Sequence, residues 1–174
     1  EYQNALLSRL VGHPVQCYKT CTAEKTKSND GYSWTVTSPE QDSVLYGYCN
    51  YTSGNDLNLY IDGILRTKYS IWSAYKTFQV GDGNTPAHIV QLKGTLQRSR
   101  EIDGVFYYLD MQEFRDVMSE ISQNQVTTLD LQDKYIKCEY TAQSDELLLL
   151  TIPYDDGWSV YVNGEKVEAR KLQD

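Results

Sequence analysis

The feature that most constrains this chain is a pair of short alternating runs, each ending in a tight-turn dipeptide. Leu57-Asn58-Leu59-Tyr60-Ile61 leads into Asp62-Gly63, and Trp158-Ser159-Val160-Tyr161-Val162 leads into Asn163-Gly164. Period-two alternation puts one face of each run on a core, and Asp-Gly or Asn-Gly supplies the two positive-φ residues that a type I′ turn needs. Each run is therefore expected to open a hairpin. In the second, Val160 faces Val167 and Trp158 faces Ala169 on one side, with Tyr161 and Lys166 on the other. On this reading Trp158 belongs in the core. Upstream, Leu147-Leu148-Leu149-Leu150-Thr151-Ile152 reads as a buried strand covered on both faces. Pro153, which has no N–H for the ladder, ends it.

The same grammar recurs along the chain. Strands are expected at Tyr32–Thr37, Val44–Tyr51, Leu57–Ile61, Ile64–Lys68, Tyr75–Val80, His88–Leu96, Val105–Leu109 and Tyr135–Ala142, separated by Gly-, Asn- and Asp-rich turns. Residues 1–12 carry a short amphipathic helical turn stopped by Gly12 and Pro14, and Glu24 to Gly31 reads as an exposed polar loop. One longer helix breaks the pattern: Met111, Phe114, Val117, Met118 and Ile121 form an apolar stripe at helical spacing. Asp110 is its N-cap, Glu113 the reciprocal member of a capping box, and Asn124 its C′ residue. The fold expected is mainly β, a two-sheet sandwich or jelly roll with one amphipathic helix near 111–123 packed on a sheet face. Residues 1–174 form a single β-rich domain in this reading, with a possible internal duplication of 44–96 in 135–174.

Composition narrows the partners. A chain of 174 residues can bury roughly 70% of the surface its unfolded form exposes. Fifteen tyrosines against three phenylalanines suit half-buried sheet positions. A net charge of −8 with no basic run excludes nucleic acid as a partner. No apolar run approaches the roughly 18–20 residues needed to span a bilayer. The chain opens at Glu1-Tyr2 and stops at Asp174 straight after a strand signal, as a piece of a larger protein would.

Catalytic motifs are absent: there is no nucleophile elbow, phosphate loop or HExxH helix. His13, Cys17 and Cys21 are spaced four apart, but three ligands at that spacing match no standard zinc pattern. Asp82, Asn84, Asn55 and Asp56 place hard oxygens in loops without EF-hand spacing, and turn chemistry accounts for them more simply. His88 sits in a strand-like run and reads as a packed or surface histidine. Neither a catalytic residue nor a metal or other cofactor is therefore assigned. Carbohydrate contact is the remaining chemistry, since it needs an aromatic platform beside carboxylates. Trp72, Tyr154, Asp155 and Asp156 are the residues that could supply it. Asn50-Tyr51-Thr52 fits a glycan-acceptor sequon.

Leu149-Leu150-Thr151-Ile152-Pro153-Tyr154-Asp155-Asp156-Gly157-Trp158, followed by Val160-Tyr161-Val162-Asn163-Gly164, resembles the C-terminal signature of YfhO-type bacterial membrane proteins. Gln3-Asn4-Ala5-Leu6-Leu7 with Gly12, and Tyr107-Tyr108-Leu109-Asp110-Met111 with Phe114, resemble two further stretches of that family in the same order. The resemblance implies a large multi-pass protein of the GT-C glycosyltransferase type, moving a sugar from a lipid-phosphate carrier onto a cell-envelope polymer such as teichoic acid. The family's catalytic acidic residues lie in loops between membrane helices outside this sequence, so none is carried over. The chain would then be an extracytoplasmic accessory domain. Its partners would be the transmembrane portion of its own parent and envelope polysaccharide or teichoic acid, and at least one further strand would be expected beyond Asp174. A free carbohydrate-binding module and a purely structural cell-surface domain are the rival readings. The four cysteines allow three full pairings. In an oxidising setting outside the membrane, Cys17 and Cys21 are the pair closest in sequence.

Overall fold

A computed structural model describes residues 2–50, 57–69, 77–94, 101–123, 126, 128–142, 148–150 and 152–169. It divides into two compact units, residues 1–125 and 126–174. The first unit holds α1 (Tyr2–Val11), β1 (Tyr18–Thr20), β2 (Ala23–Ser28), β3 (Gly31–Thr37), β4 (Ser43–Cys49), β5 (Leu57–Ile61), β6 (Ile64–Tyr69), β7 (Thr77–Asp82), β8 (Ala87–Lys93), β9 (Gly104–Asp110) and α2 (Met111–Gln123). Its strands form two antiparallel sheets, one ordered β1-β9-β4-β7 and the other β2-β3-β8-β5-β6.

The two sheets face each other across one core, so the expected two-sheet architecture is what the chain adopts. Alternation decides which residues enter it. Leu57, Leu59 and Ile61 of β5, Val90 and Leu92 of β8, and Tyr32, Trp34 and Val36 of β3 point inward from the five-stranded sheet. Leu45 and Cys49 of β4, Phe106 and Tyr108 of β9, and Val80 of β7 meet them from the four-stranded sheet. Trp34 stacks on Tyr32 at 6.1 Å and tilts against Phe106 at 6.0 Å, so the aromatic centre spans both sheets. Tyr69 ties the layers by hydrogen bonding: its hydroxyl donates to the Cys49 carbonyl and accepts the Cys49 N–H, both at 3.0 Å. A buried tyrosine hydroxyl is tolerated only because both of its roles are met.

A second cluster lies on the other face of the four-stranded sheet, where Val15, Cys17, Leu109 and Val117 are buried and Leu7, Val11, Tyr46, Met111, Phe114 and Ile121 pack around them. The stripe expected on α2 thus covers a sheet face, although Met118 at its margin is exposed. The N-terminal helical turn extends to the ten residues of α1, which contributes Leu7 and Val11 to the same cluster. Asp110 caps α2 by accepting the Glu113 N–H at 3.0 Å. The capping box does not close, however. The Glu113 carboxylate accepts the Gln16 N–H at 2.8 Å and pairs with Lys19 at 3.0 Å, while the Asp110 N–H is taken by the Cys17 carbonyl. A tertiary donor has displaced the local one. Asn124 lies outside the described residues.

The segment read as an exposed loop from Glu24 to Gly31 is an edge strand and its turn. Ala23–Ser28 pairs with β3 from Ala23↔Val36 to Ser28↔Gly31. An edge strand needs no apolar alternation, and charged side chains protect it from further pairing. Lys25 and Lys27 instead lay their ammonium groups over the Tyr32 ring at 5.1 and 5.5 Å.

The second unit contains two hairpins, β10 (Thr128–Gln132) with β11 (Tyr135–Glu139), and β12 (Val160–Val162) with β13 (Glu165–Val167). Val160 pairs with Val167 and Tyr161 with Lys166, the register expected from the turn. Asn163 and Gly164 have φ of 53° and 85°, and Asp62 and Gly63 have 52° and 79°, so both dipeptides make the positive-φ turn that the sequence signalled. Two expectations for this unit are corrected. Leu148, Leu149 and Leu150 form no strand and are exposed, with Leu147 outside the described residues. Trp158 is 42% exposed and is not a core residue. The regular pairing of its hairpin begins at Val160, and a two-stranded ribbon by itself has no second layer with which to bury a ring.

Candidate functional site

Three of the residues proposed for carbohydrate contact, Tyr154, Asp155 and Asp156, fall on the turn before β12. Asp155 organises it: its Oδ1 accepts the Gly157 N–H at 2.7 Å, and its carbonyl accepts the Trp158 N–H at 3.0 Å. This is an Asx turn nested in a β-turn, the structure that Asp favours because its short side chain reaches its own backbone two residues on. A Cβ at residue 157 would approach Asp155 Oδ1 to 2.9 Å, so a side chain there would require the carboxylate to shift. The turn leaves Tyr154 and Trp158 exposed, at 52% and 42%, with Asp156 exposed between them. Two aromatic rings and a carboxylate are thus presented on one short solvent-facing segment. Trp72 lies outside the described residues, so the structure brings together three of the four proposed contacts, Tyr154, Asp155 and Asp156, and adds Trp158, which alternation had assigned to the core.

This arrangement can stack and accept hydrogen bonds. It has no pair of carboxylates facing each other across a cleft, as glycoside cleavage would require. Burial pushes the Cys49 thiol up to about 12 and partial burial pushes Cys21 up to about 11, which makes both poor nucleophiles. All four cysteines are free. Cys17 belongs to the helix-side cluster whereas Cys21 packs against the inter-sheet core, so the pair closest in sequence is separated by the sheet between them.

The remaining polar candidates resolve into structural roles. Asp82 Oδ1 accepts the Asn84 N–H at 2.9 Å in an Asx turn, and Asn55 and Asp56 lie outside the described residues. Asn50 joins the sheet margin by accepting the Asp103 N–H at 2.7 Å, and the other two sequon residues are also outside the described set. His13 pairs with Glu120 at 3.0 Å rather than sharing a ligand set with Cys17 and Cys21. Among the described residues no group of three His, Cys, Asp or Glu side chains could hold a metal ion. Sequence reasoning passed over one polar cluster, on the β10–β11 hairpin. There the Tyr135 hydroxyl donates to Asp130 at 2.8 Å and accepts from Gln132 at 2.9 Å. The alternation of Leu129 and Leu131 with Asp130 and Gln132 was the signal that could have found it.

The family model described as "Bacterial membrane protein YfhO" matches residues 2–174. No curated protein matches the chain. Among the described residues no helix is long and apolar enough to cross a membrane.

Proposed function

The chain belongs to the YfhO family of bacterial membrane proteins, and from that premise we propose that it is the extracytoplasmic accessory domain of a membrane glycosyltransferase-like protein. Its parent acts in glycosylation of a cell-envelope polymer such as teichoic acid, and this domain contacts the polymer without catalysing transfer. The observation that carries the reading is the solvent-facing turn of Tyr154, Asp155, Asp156 and Trp158. Aromatic faces suit the apolar faces of sugar rings, and carboxylates accept sugar hydroxyls.

A scaffold role is favoured by a different observation. Leu129 and Leu131 are 61% and 68% exposed and share one face of the β10–β11 hairpin with Ile136 and Cys138. Such a face suits packing on the membrane portion of the parent. The two readings separate in the full-length parent. Tyr154→Ala combined with Trp158→Ala should lower polymer glycosylation several-fold at unchanged protein level. Leu129→Asp should lower the protein level itself. Unchanged glycosylation in the aromatic double variant would leave the scaffold role alone.

A further inference from the structure

His88 is buried in the first unit at 5% exposure, and both of its ring nitrogens face acceptors. Nδ1 lies 2.7 Å from Asp62 Oδ2, and Nε2 lies 3.0 Å from the Asp82 backbone carbonyl. A neutral imidazole has one N–H, so in that form one nitrogen lone pair would point at an oxygen lone pair. Only the imidazolium donates to both. The position is built around the ring: Gly81 lies against it, and a Cβ at residue 81 would collide with the imidazole. Asp62 is fixed in turn, because its Oδ1 accepts the Ile89 N–H at 2.8 Å and its own N–H donates to the Ile89 carbonyl at 2.8 Å.

These contacts join separate parts of the fold. Asp62 sits in the β5–β6 turn and His88 on β8, both in the five-stranded sheet, whereas Asp82 ends β7 in the four-stranded sheet. The charged groups facing the ring are Asp62 and Asp82, and Arg66 of β6 acts on Asp62. From β3 the ring's cross-strand neighbour is Val36, which carries no charge. We propose that His88 is a proton-operated latch: as an imidazolium it ties the β5–β6 turn to the β7–β8 corner across the two sheets, and loss of its proton to solvent releases that corner.

The electrostatics agree in direction. Burial works against the charged ring, but the Asp62 hydrogen bond and the Asp82 carbonyl outweigh it and raise His88 above its ordinary 6.5. Burial likewise opposes the charge on Asp62, yet the hydrogen bonds from His88 and the Ile89 N–H hold it below the usual 3.8. The histidine contribution is therefore complete below about pH 6.5 and is lost as pH rises through the higher folded value. The Asp62 contribution is present above 3.8 and is lost as pH falls through its lower folded value. The latch is closed in mildly acidic solution and opens as pH rises through the folded value of His88.

Nitrogen-15 NMR of the histidine rings in the wild-type chain, with exposed His13 resolved alongside, tests this without any variant. At pH 6.5 both His88 nitrogens should carry protons, and the ring should titrate at higher pH. Exchange of the Asp62 and Ile89 amides should accelerate through that titration beyond the rise seen at Leu59 and Leu92. Asp62→Asn should weaken proton binding by about tenfold, one pH unit. A neutral His88 tautomer at pH 6.5, or exchange at Asp62 and Ile89 that tracks the rest of the sheet, would overturn the latch.

Discussion

Trp34→Ala should destabilise the first unit by about 3–5 kcal/mol, the cost of losing a fully buried ring and leaving a cavity. Trp34 is 2% exposed, and its neighbours Tyr32 and Phe106 are anchored in opposite sheets, so the walls cannot close on the space without separating the layers. Trp158→Ala is its control. With Trp158 at 42% exposure on a hairpin margin, that variant should cost less than about 1 kcal/mol. Urea unfolding followed by circular dichroism reads both variants. Equal losses would contradict the division of roles between the two tryptophans.

Gly31→Ala should be nearly as damaging, at about 3 kcal/mol, for a reason unrelated to cavities. Gly31 opens β3 opposite Ser28 and pairs with Lys93 of β8. A Cβ there would run into the backbone carbonyl oxygen of Leu92, and its φ of 157° lies at the edge of the region that only glycine occupies readily. A side chain in the way could rotate aside, but a carbonyl in a paired central strand can move only by breaking the ladder. The expected signature in amide exchange is loss of protection along β3 and β8 together. A variant with wild-type stability would mean that the hairpin entry relaxes freely.

Periodicity made most of the first unit legible in the sequence. The β5–β6 hairpin was readable in place, because an alternating run and an Asp-Gly turn mark its inner face and its corner, but the bulge between Leu59 and Tyr60 and the extension of β6 to Tyr69 were not. The α2 helix was readable from its stripe and its Asp110 cap. What escaped was structure held by partners rather than by local pattern. The β2 strand is polar because it is an edge, and its pairing comes from β3. The Glu113 carboxylate looked like half of a capping box, but Gln16 and Lys19, distant in sequence, claim it. The Leu148–Leu150 run shows the reverse error: an apolar run says that burial is favourable, not that a strand forms. At the candidate site, the sequence ended a strand at Pro153 just before Tyr154, Asp155 and Asp156, and Asp155 builds the turn that follows. Trp158 was misassigned because alternation was extended past the end of β12 at Val160. His88 was read as either a packed or a surface histidine and proves to be packed, but its partners Asp62 and Asp82 come from two different sheets, which no local spacing reveals.

The claim that the exposed turn contacts polymer without catalysing transfer is tested most directly by NMR titration of the labelled chain with teichoic-acid fragments. Shift changes are expected at the Trp158 indole N–H and at the backbone of residues 154–157, the backbone changes being reduced in Trp158→Ala, with no new glycosidic product in the tube. Silence of that turn under saturating fragment, or sugar transfer by the chain alone, would contradict it.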